Sequence, residues 1–208
     1  MFSYDEVIKY NQDFETKGYA VVKNFLDADT VSMLKTYYKN KSNAGLWTKR
    51  DNTVGLDDPR RDQSEYAQYS DPLIEYILEQ STSDVGRVVG KELFPTYTYS
   101  RIYQGADELT LHTDRPSCEY SVTVHVDTDG DELWPIGMQL PKLPPSIVTL
   151  EAGDAVIYRG CDVMHWREPL NSFNIRSSSQ FMVHYVDSNG PYAEYKYDNR
   201  KGMGYIRD

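Results

Sequence analysis

Residues 95–126 read PTYTYSRIYQGADELTLHTDRPSCEYSVTVHV, and this stretch decides the fold. Its threonine, tyrosine, valine and isoleucine suit a pleated, half-buried surface better than a helix. The same texture continues to residue 186, which predicts short strands at 96–103, 109–113, 120–126, 136–140, 147–150, 155–158, 164–167 and 175–186. Turn signals fall between them at Gln104-Gly105, Asp129-Gly130, Pro144-Pro145 and Gly153-Asp154. So many short strands packed so closely suggest a jelly roll or a closed barrel-like sandwich. An immunoglobulin-type sandwich is less attractive, because Cys118 and Cys161 lie poorly for a bridge between sheets.

Upstream the pattern is helical. Ser3 and Glu6 have the form of a capping box, opening a helix that Gly18 ends. Residues 19–25 (YAVVKNF) read as a strand, and Asp27 caps a second helix with Val31, Leu34 and Tyr38 at helical spacing. Asp71-Pro72 starts a third, whose buried face is Leu73, Ile74, Ile77 and Leu78, and a further short helix is expected at 83–92. Between them, residues 42–70 are polar and aperiodic, too long for a plain connection, and are expected to form a functional loop or lid. The expected class is therefore mainly β with N-terminal helices (α+β). Residues 1–208 form one expected domain: helical support and lid loop in 1–94, jelly-roll core in 95–187, C-terminal extension in 188–208.

Composition narrows the function. A formal charge of −10 argues against a nucleic-acid partner, whose phosphates call for clustered Lys and Arg. No apolar run approaches a bilayer span, and the N-terminus lacks a signal-peptide core, so a cytoplasmic location without membrane contact is expected. Two cysteines without CxxC spacing read as free thiols.

The chemistry gathers in the β-rich half. His112 and Asp114 (LTLHTD) are two apart in a strand, where such positions share a face and can converge on one metal ion. His165, after a Gly-Asp turn and a strand (AGDAVIYRGCDVMH), is the best third ligand. Two imidazoles and one carboxylate, leaving open positions, suit a non-haem Fe(II) site. By itself a His-x-Asp is also compatible with ordinary polar strand residues. Eleven residues after His165 comes Arg176, then Ser178, again two apart. Their donors suit an anion, the guanidinium fork matching a carboxylate.

His112-x-Asp114, His165 and Arg176-x-Ser178 together resemble the signature of the Fe(II)/2-oxoglutarate-dependent dioxygenases. Tyr103-Gln104-Gly105 through His112-Thr113-Asp114, and GDAVIYRGCDVMHWREPL, resemble the prolyl 4-hydroxylase branch, while FETKGYAVVKNFLDADTVSML is similar to the entry region of phytanoyl-CoA-hydroxylase-like members. The resemblance implies a double-stranded β-helix, the cupin-like jelly roll, and Fe(II), 2-oxoglutarate and O2 as reactants, with ascorbate as reductant. It implies His112, Asp114 and His165 as iron ligands and Arg176 as the partner of the 2-oxoglutarate C5 carboxylate. Ser178 is then a second contact, Tyr103 faces the cosubstrate with Tyr99 pointing the same way, and His125 stands where relatives often carry a carboxylate-touching tyrosine. His125 is equally readable as a structural strand histidine, and His184 as a core or surface residue.

Two departures bear on substrate. Glu132-Leu133-Trp134-Pro135-Ile136-Gly137 replaces the branch's usual Gly-Gly-Glu-Thr-like turn, and collagen-type prolyl hydroxylases use Lys where this chain has Arg. A prolyl residue in a peptide is the first expected substrate, and a free amino acid or small metabolite the second. Trp47, Arg60, Arg61, Arg115 and Trp166 are expected substrate contacts, with Tyr99 and Arg101 further candidates. Retention of Asp114 favours hydroxylation over halogenation. A cupin-type metalloprotein without 2-oxoglutarate chemistry would use the triad and leave Arg176 and Ser178 idle, and a metal-dependent binding module is the non-enzyme alternative.

Overall fold

The computed structural model describes residues 2–47 and 66–205. Three helices precede most of the β structure, each opened by its expected cap. In α1 (Tyr4–Lys17) the Ser3 hydroxyl and Glu6 carboxylate cap one another's backbone amides, and Gly18 closes the helix at φ 79°. Asp27 accepts from the Thr30 amide to open α2 (Ala28–Asn43), and Asp71 from the Leu73 amide to open α3 (Pro72–Val89). The expected break before residue 83 is absent. Val85, Val88 and Val89 carry on the buried stripe of Ile74, Ile77 and Leu78, so α3 runs unbroken to its left-handed cap at Gly90.

Two antiparallel sheets follow. The larger has the order β1-β8-β5-β10-β3-β2, from β1 (Tyr19–Val22), β8 (Ala155–Arg159), β5 (Tyr120–Gly130), β10 (Ile175–Asp187), β3 (Leu93–Gln104) and β2 (Tyr66–Tyr69). The smaller is β4-β9-β6-β7, from β4 (Leu109–His112), β9 (Met164–Arg167), β6 (Ile136–Gln139) and β7 (Ser146–Val148). The eight strands from β3 to β10 pass between the sheets in jelly-roll fashion. β1 is shorter than expected, the chain turning through Asn24 at φ 51°, while β2 was not anticipated and pairs with β3. Of the expected lid, Ser42 and Asn43 complete α2 and residues 66–69 form β2; residues 48–65, with Arg60 and Arg61, lie outside the described residues.

Strand alternation divides the larger sheet into two unlike faces. One carries Ile102, Val122, Val124, Phe181, Val183 and Tyr185, which pack with Phe14, Leu34, Ile74 and Leu78 of the helices into the main core. The other faces the smaller sheet and is polar over much of its area: Ser121, Thr123 and His125 of β5, Ser178, Gln180 and His184 of β10. A second apolar cluster, including Ile136, Met138, Val148 and Val156, fills part of that inter-sheet space.

Residues 188–205 return across the α3 end of the larger sheet. Arg200 Nη1 meets Glu75 Oε1 of α3 at 2.6 Å with both side chains buried, and its Nη2 donates to the Thr96 carbonyl at 2.9 Å. No helix among the described residues is long and apolar enough to cross a membrane.

Candidate metal centre

Antiparallel pairing of β4 and β9 sets His112 opposite His165, their rings 4.1 Å apart. Just past β4, the Asp114 amide donates to the Gly160 carbonyl at 2.8 Å, which turns its side chain back toward both imidazoles. Asp114 Oδ1 then lies 3.7 Å from His112 Nε2 and 3.6 Å from His165 Nε2.

Second hydrogen bonds fix what each group presents. His112 Nδ1 is 2.7 Å from the Thr110 carbonyl and His165 Nδ1 is 3.0 Å from the Val163 carbonyl. A carbonyl only accepts, so both Nδ1 atoms carry the proton and both Nε2 lone pairs are free for a metal. On the carboxylate, Ser121 Oγ donates to Asp114 Oδ2 at 2.7 Å, leaving Oδ1 inward. With that proton committed, His184 Nδ1 must donate to Ser121 Oγ, 2.9 Å away. Burial alone would raise the Asp114 carboxyl. His165, His112, His184 and the Ser121 hydroxyl together hold it well below the usual carboxylate range. Three oriented donors, all within 4.8 Å of one another, fit a divalent transition metal.

Asp114, Cys118 and His184 form a second convergent group. Its chemistry is poorer. Burial pushes the Cys118 thiol up, holding it protonated beside the Tyr97 hydroxyl at 3.1 Å, and the Ser121 hydroxyl bridges Asp114 and His184. Burial likewise pulls His184 down to about 4, so it is a neutral second-layer group.

The other expected residues divide. Ser178 is fully buried on the inward face of β10, where Gln180 Nε2 donates to it at 3.4 Å. His125 faces inward with Nε2 3.0 Å from Thr128 Oγ1, and burial, then the charge of Arg167, pulls it down to about 4. Tyr103 is buried against Trp134, ring centres 4.7 Å apart, with the Arg101 guanidinium 3.9 Å from its centre. Tyr99 shares their face by alternation.

Four expectations need correction. Arg176 does not enter the site: its side chain is 79% exposed and ion-paired with Asp129 on the surface, where the pairing of β10 with β5 shifts register between Ile175 and Ser177. Arg115 is committed to a bidentate pair with Asp198, at 2.9 and 3.0 Å. Trp166 alternates outward from His165 and lies over Gly137, where a Cβ would sit 2.2 Å from the indole. Trp47 is buried edge-on against Tyr38 at 5.1 Å.

No family model and no curated protein sequence matches the chain. Solved structures do. A Pseudomonas putida prolyl-4-hydroxylase is 16% identical with a TM-score of 0.68, over 86% of this chain and 98% of that one. The non-heme alpha-ketoglutarate-dependent epimerase SnoN from nogalamycin biosynthesis is 13% identical with a TM-score of 0.70, over 98% and 93%. A 2OG-Fe(II) oxygenase-family oxidoreductase from Burkholderia pseudomallei is 14% identical with a TM-score of 0.65, over 91% and 94%. The chain has the fold of the 2-oxoglutarate/Fe(II) oxygenases.

Within that fold, one inward cation escaped the sequence reading. Arg167 stands two residues beyond His165 on β9 and is 4% exposed. The rule that pairs His112 with Asp114 would have found it. Burial pulls its guanidinium down to about 10. Ser121 and Gln180 were also missed, since neither residue type signals a second-layer role on its own.

Proposed function

We propose that this protein is an Fe(II)- and 2-oxoglutarate-dependent dioxygenase that hydroxylates an unactivated C–H bond, first a prolyl residue in a peptide, second a free amino acid or small metabolite. The observation that carries it is the convergence of His112 Nε2, His165 Nε2 and Asp114 Oδ1, each oriented by a second hydrogen bond. His112, Asp114 and His165 would hold the iron. When bound, iron with 2-oxoglutarate and O2 supplies the oxidising power: one oxygen atom goes to the substrate carbon and the keto acid leaves as succinate and CO2. The chain's own part is to hold geometry and exclude water. His112 and His165 present fixed lone pairs, Ser121 keeps Asp114 from turning away, and the centre lies between the two sheets with His165 buried and His112 and Asp114 partly open.

The prolyl reading draws support from the prolyl-4-hydroxylase among the similar structures, and the acidic charge favours a neutral or basic substrate. Two free cysteines suit a reducing, cytoplasmic setting. Purified protein given Fe(II), ascorbate and 2-oxoglutarate should release succinate slowly without substrate and faster with the right one, identified by screening proline-containing peptides and free amino acids for a mass gain. Iron bound without any succinate would favour the cupin-type reading.

A further inference from the structure

The inward face of the barrel holds a cation whose role the metal centre does not explain. Arg167 Nη1 donates to the Trp134 carbonyl and Nη2 to Gln180 Oε1 at 2.9 Å, and the guanidinium stacks 4.8 Å from the Trp134 ring centre. Every one of these partners is neutral. Among the described residues no carboxylate lies within ion-pair distance, although a guanidinium offers five N–H donors and burial strips it of water. Its surroundings add donors rather than acids. Gln180 Nε2 turns to Ser178 Oγ, while His125 and Arg101 flank Gln180 in register on the neighbouring strands. Acidic residues are plentiful in this chain, 32 in all, so the lack of one beside Arg167 among the described residues calls for an anion from outside.

Position says which anion. His165 and Arg167 are successive inward residues of one strand, a step of about 6.6 Å. A short dicarboxylate held at the metal donors by one end can reach the guanidinium with the other. We propose that Arg167, positioned by Gln180 and the Trp134 carbonyl, is the counter-ion for the distal carboxylate of the 2-oxo acid, and that Arg176 is not. This rests on the oxygenase reading and assigns the cosubstrate end of the same site to β9 rather than to the start of β10.

The test measures binding, with no turnover. Anaerobic protein loaded with Fe(II) is titrated with 2-oxoglutarate and, separately, with 2-oxobutanoate, which offers the same chelating end without the distal carboxylate. Iron affinity and melting temperature are measured in parallel. The wild type should prefer 2-oxoglutarate strongly. In Arg167→Met that preference should collapse at least 30-fold, through weaker 2-oxoglutarate binding, with 2-oxobutanoate and iron binding little changed. Arg167→Lys, which keeps the charge if Met is not tolerated, should retain part of the preference, and Arg176→Ala all of it. Equal weakening of both acids in the Arg167 variants would make the residue structural and overturn the proposal, as would loss of preference in Arg176→Ala. An iron-loaded wild type that binds neither acid would instead sink the oxygenase reading, and the proposal with it.

Discussion

At the scale of single residues, the candidate metal centre is built from two layers, and the outer one orients the inner. Ser121 holds Asp114 Oδ2 while His184 holds Ser121. Ser121→Ala should therefore weaken Fe(II) affinity about 10–100-fold, the usual cost of losing an outer-layer partner, while His112→Ala or His165→Ala should abolish iron binding and turnover. Iron titration followed by succinate release checks both, and wild-type affinity in Ser121→Ala would show the carboxylate to be held some other way. The triad was legible because a strand alternates and His-x-Asp places both groups on one face. The inward place of Arg167 was not read. Counting onward from His165 selects Arg176, but a register shift between Ile175 and Ser177 leaves that side chain outside, whereas Arg167 obeys simple alternation. Nothing in the residues Asn174-Ile175-Arg176-Ser177 announces the shift.

At the scale of elements, strands were readable where inward and outward residues differ and unreadable where they do not. β9 falls at the expected residues, while Tyr66–Tyr69 lacks alternation and becomes a strand only by adding to the exposed edge of β3. A separate short helix was expected at 83–92, yet α3 runs through the polar residues 79–84 because that stretch lies mostly off its buried face. The connection from β8 to β9 carries the tightest constraint. A Cβ on Gly160 would lie 2.0 Å from the Cys118 carbonyl and 2.8 Å from Asp114 Oδ2, and the Gly160 carbonyl is what receives the Asp114 amide. Gly160→Ala should destabilise the fold by about 1–3 kcal/mol, as overpacking does. It should weaken iron binding in the same variant, because the backbone that yields is the one aiming Asp114. Thermal melts with and without iron measure both; a melting loss with unchanged iron affinity would separate Gly160 from the centre.

At the scale of the whole molecule, the order of strands in the two sheets was beyond the sequence, which marks where strands lie but not which neighbours they choose. The polar interior that results has a price in acid. His125 is held at about 4 against an ordinary value of 6.5, with burial the main cause. Its neutral form is favoured in the folded chain, so its contribution to stability is complete above about 6.5 and is lost as the pH falls toward 4. Between pH 7 and pH 5 that loss comes to about 2 kcal/mol. Urea unfolding at the two pH values should show it. His125→Gln should lose about that much less, and an unchanged pH dependence in the variant would place the acid sensitivity elsewhere.

The two faces of the larger sheet have a consequence for how such a scaffold can be remodelled. Residues such as Val122, Val124, Phe181 and Val183 glue the sheet to the helices, and the positions alternating with them on the same strands, Thr123, His125, Gln180 and Met182, look into the space between the sheets. Stability and chemistry are thus written in interleaved alphabets along single strands. Inward letters can be exchanged without disturbing the outward ones. A lineage, or a designer, can change what the space between the sheets receives while the fold keeps standing on its helical side.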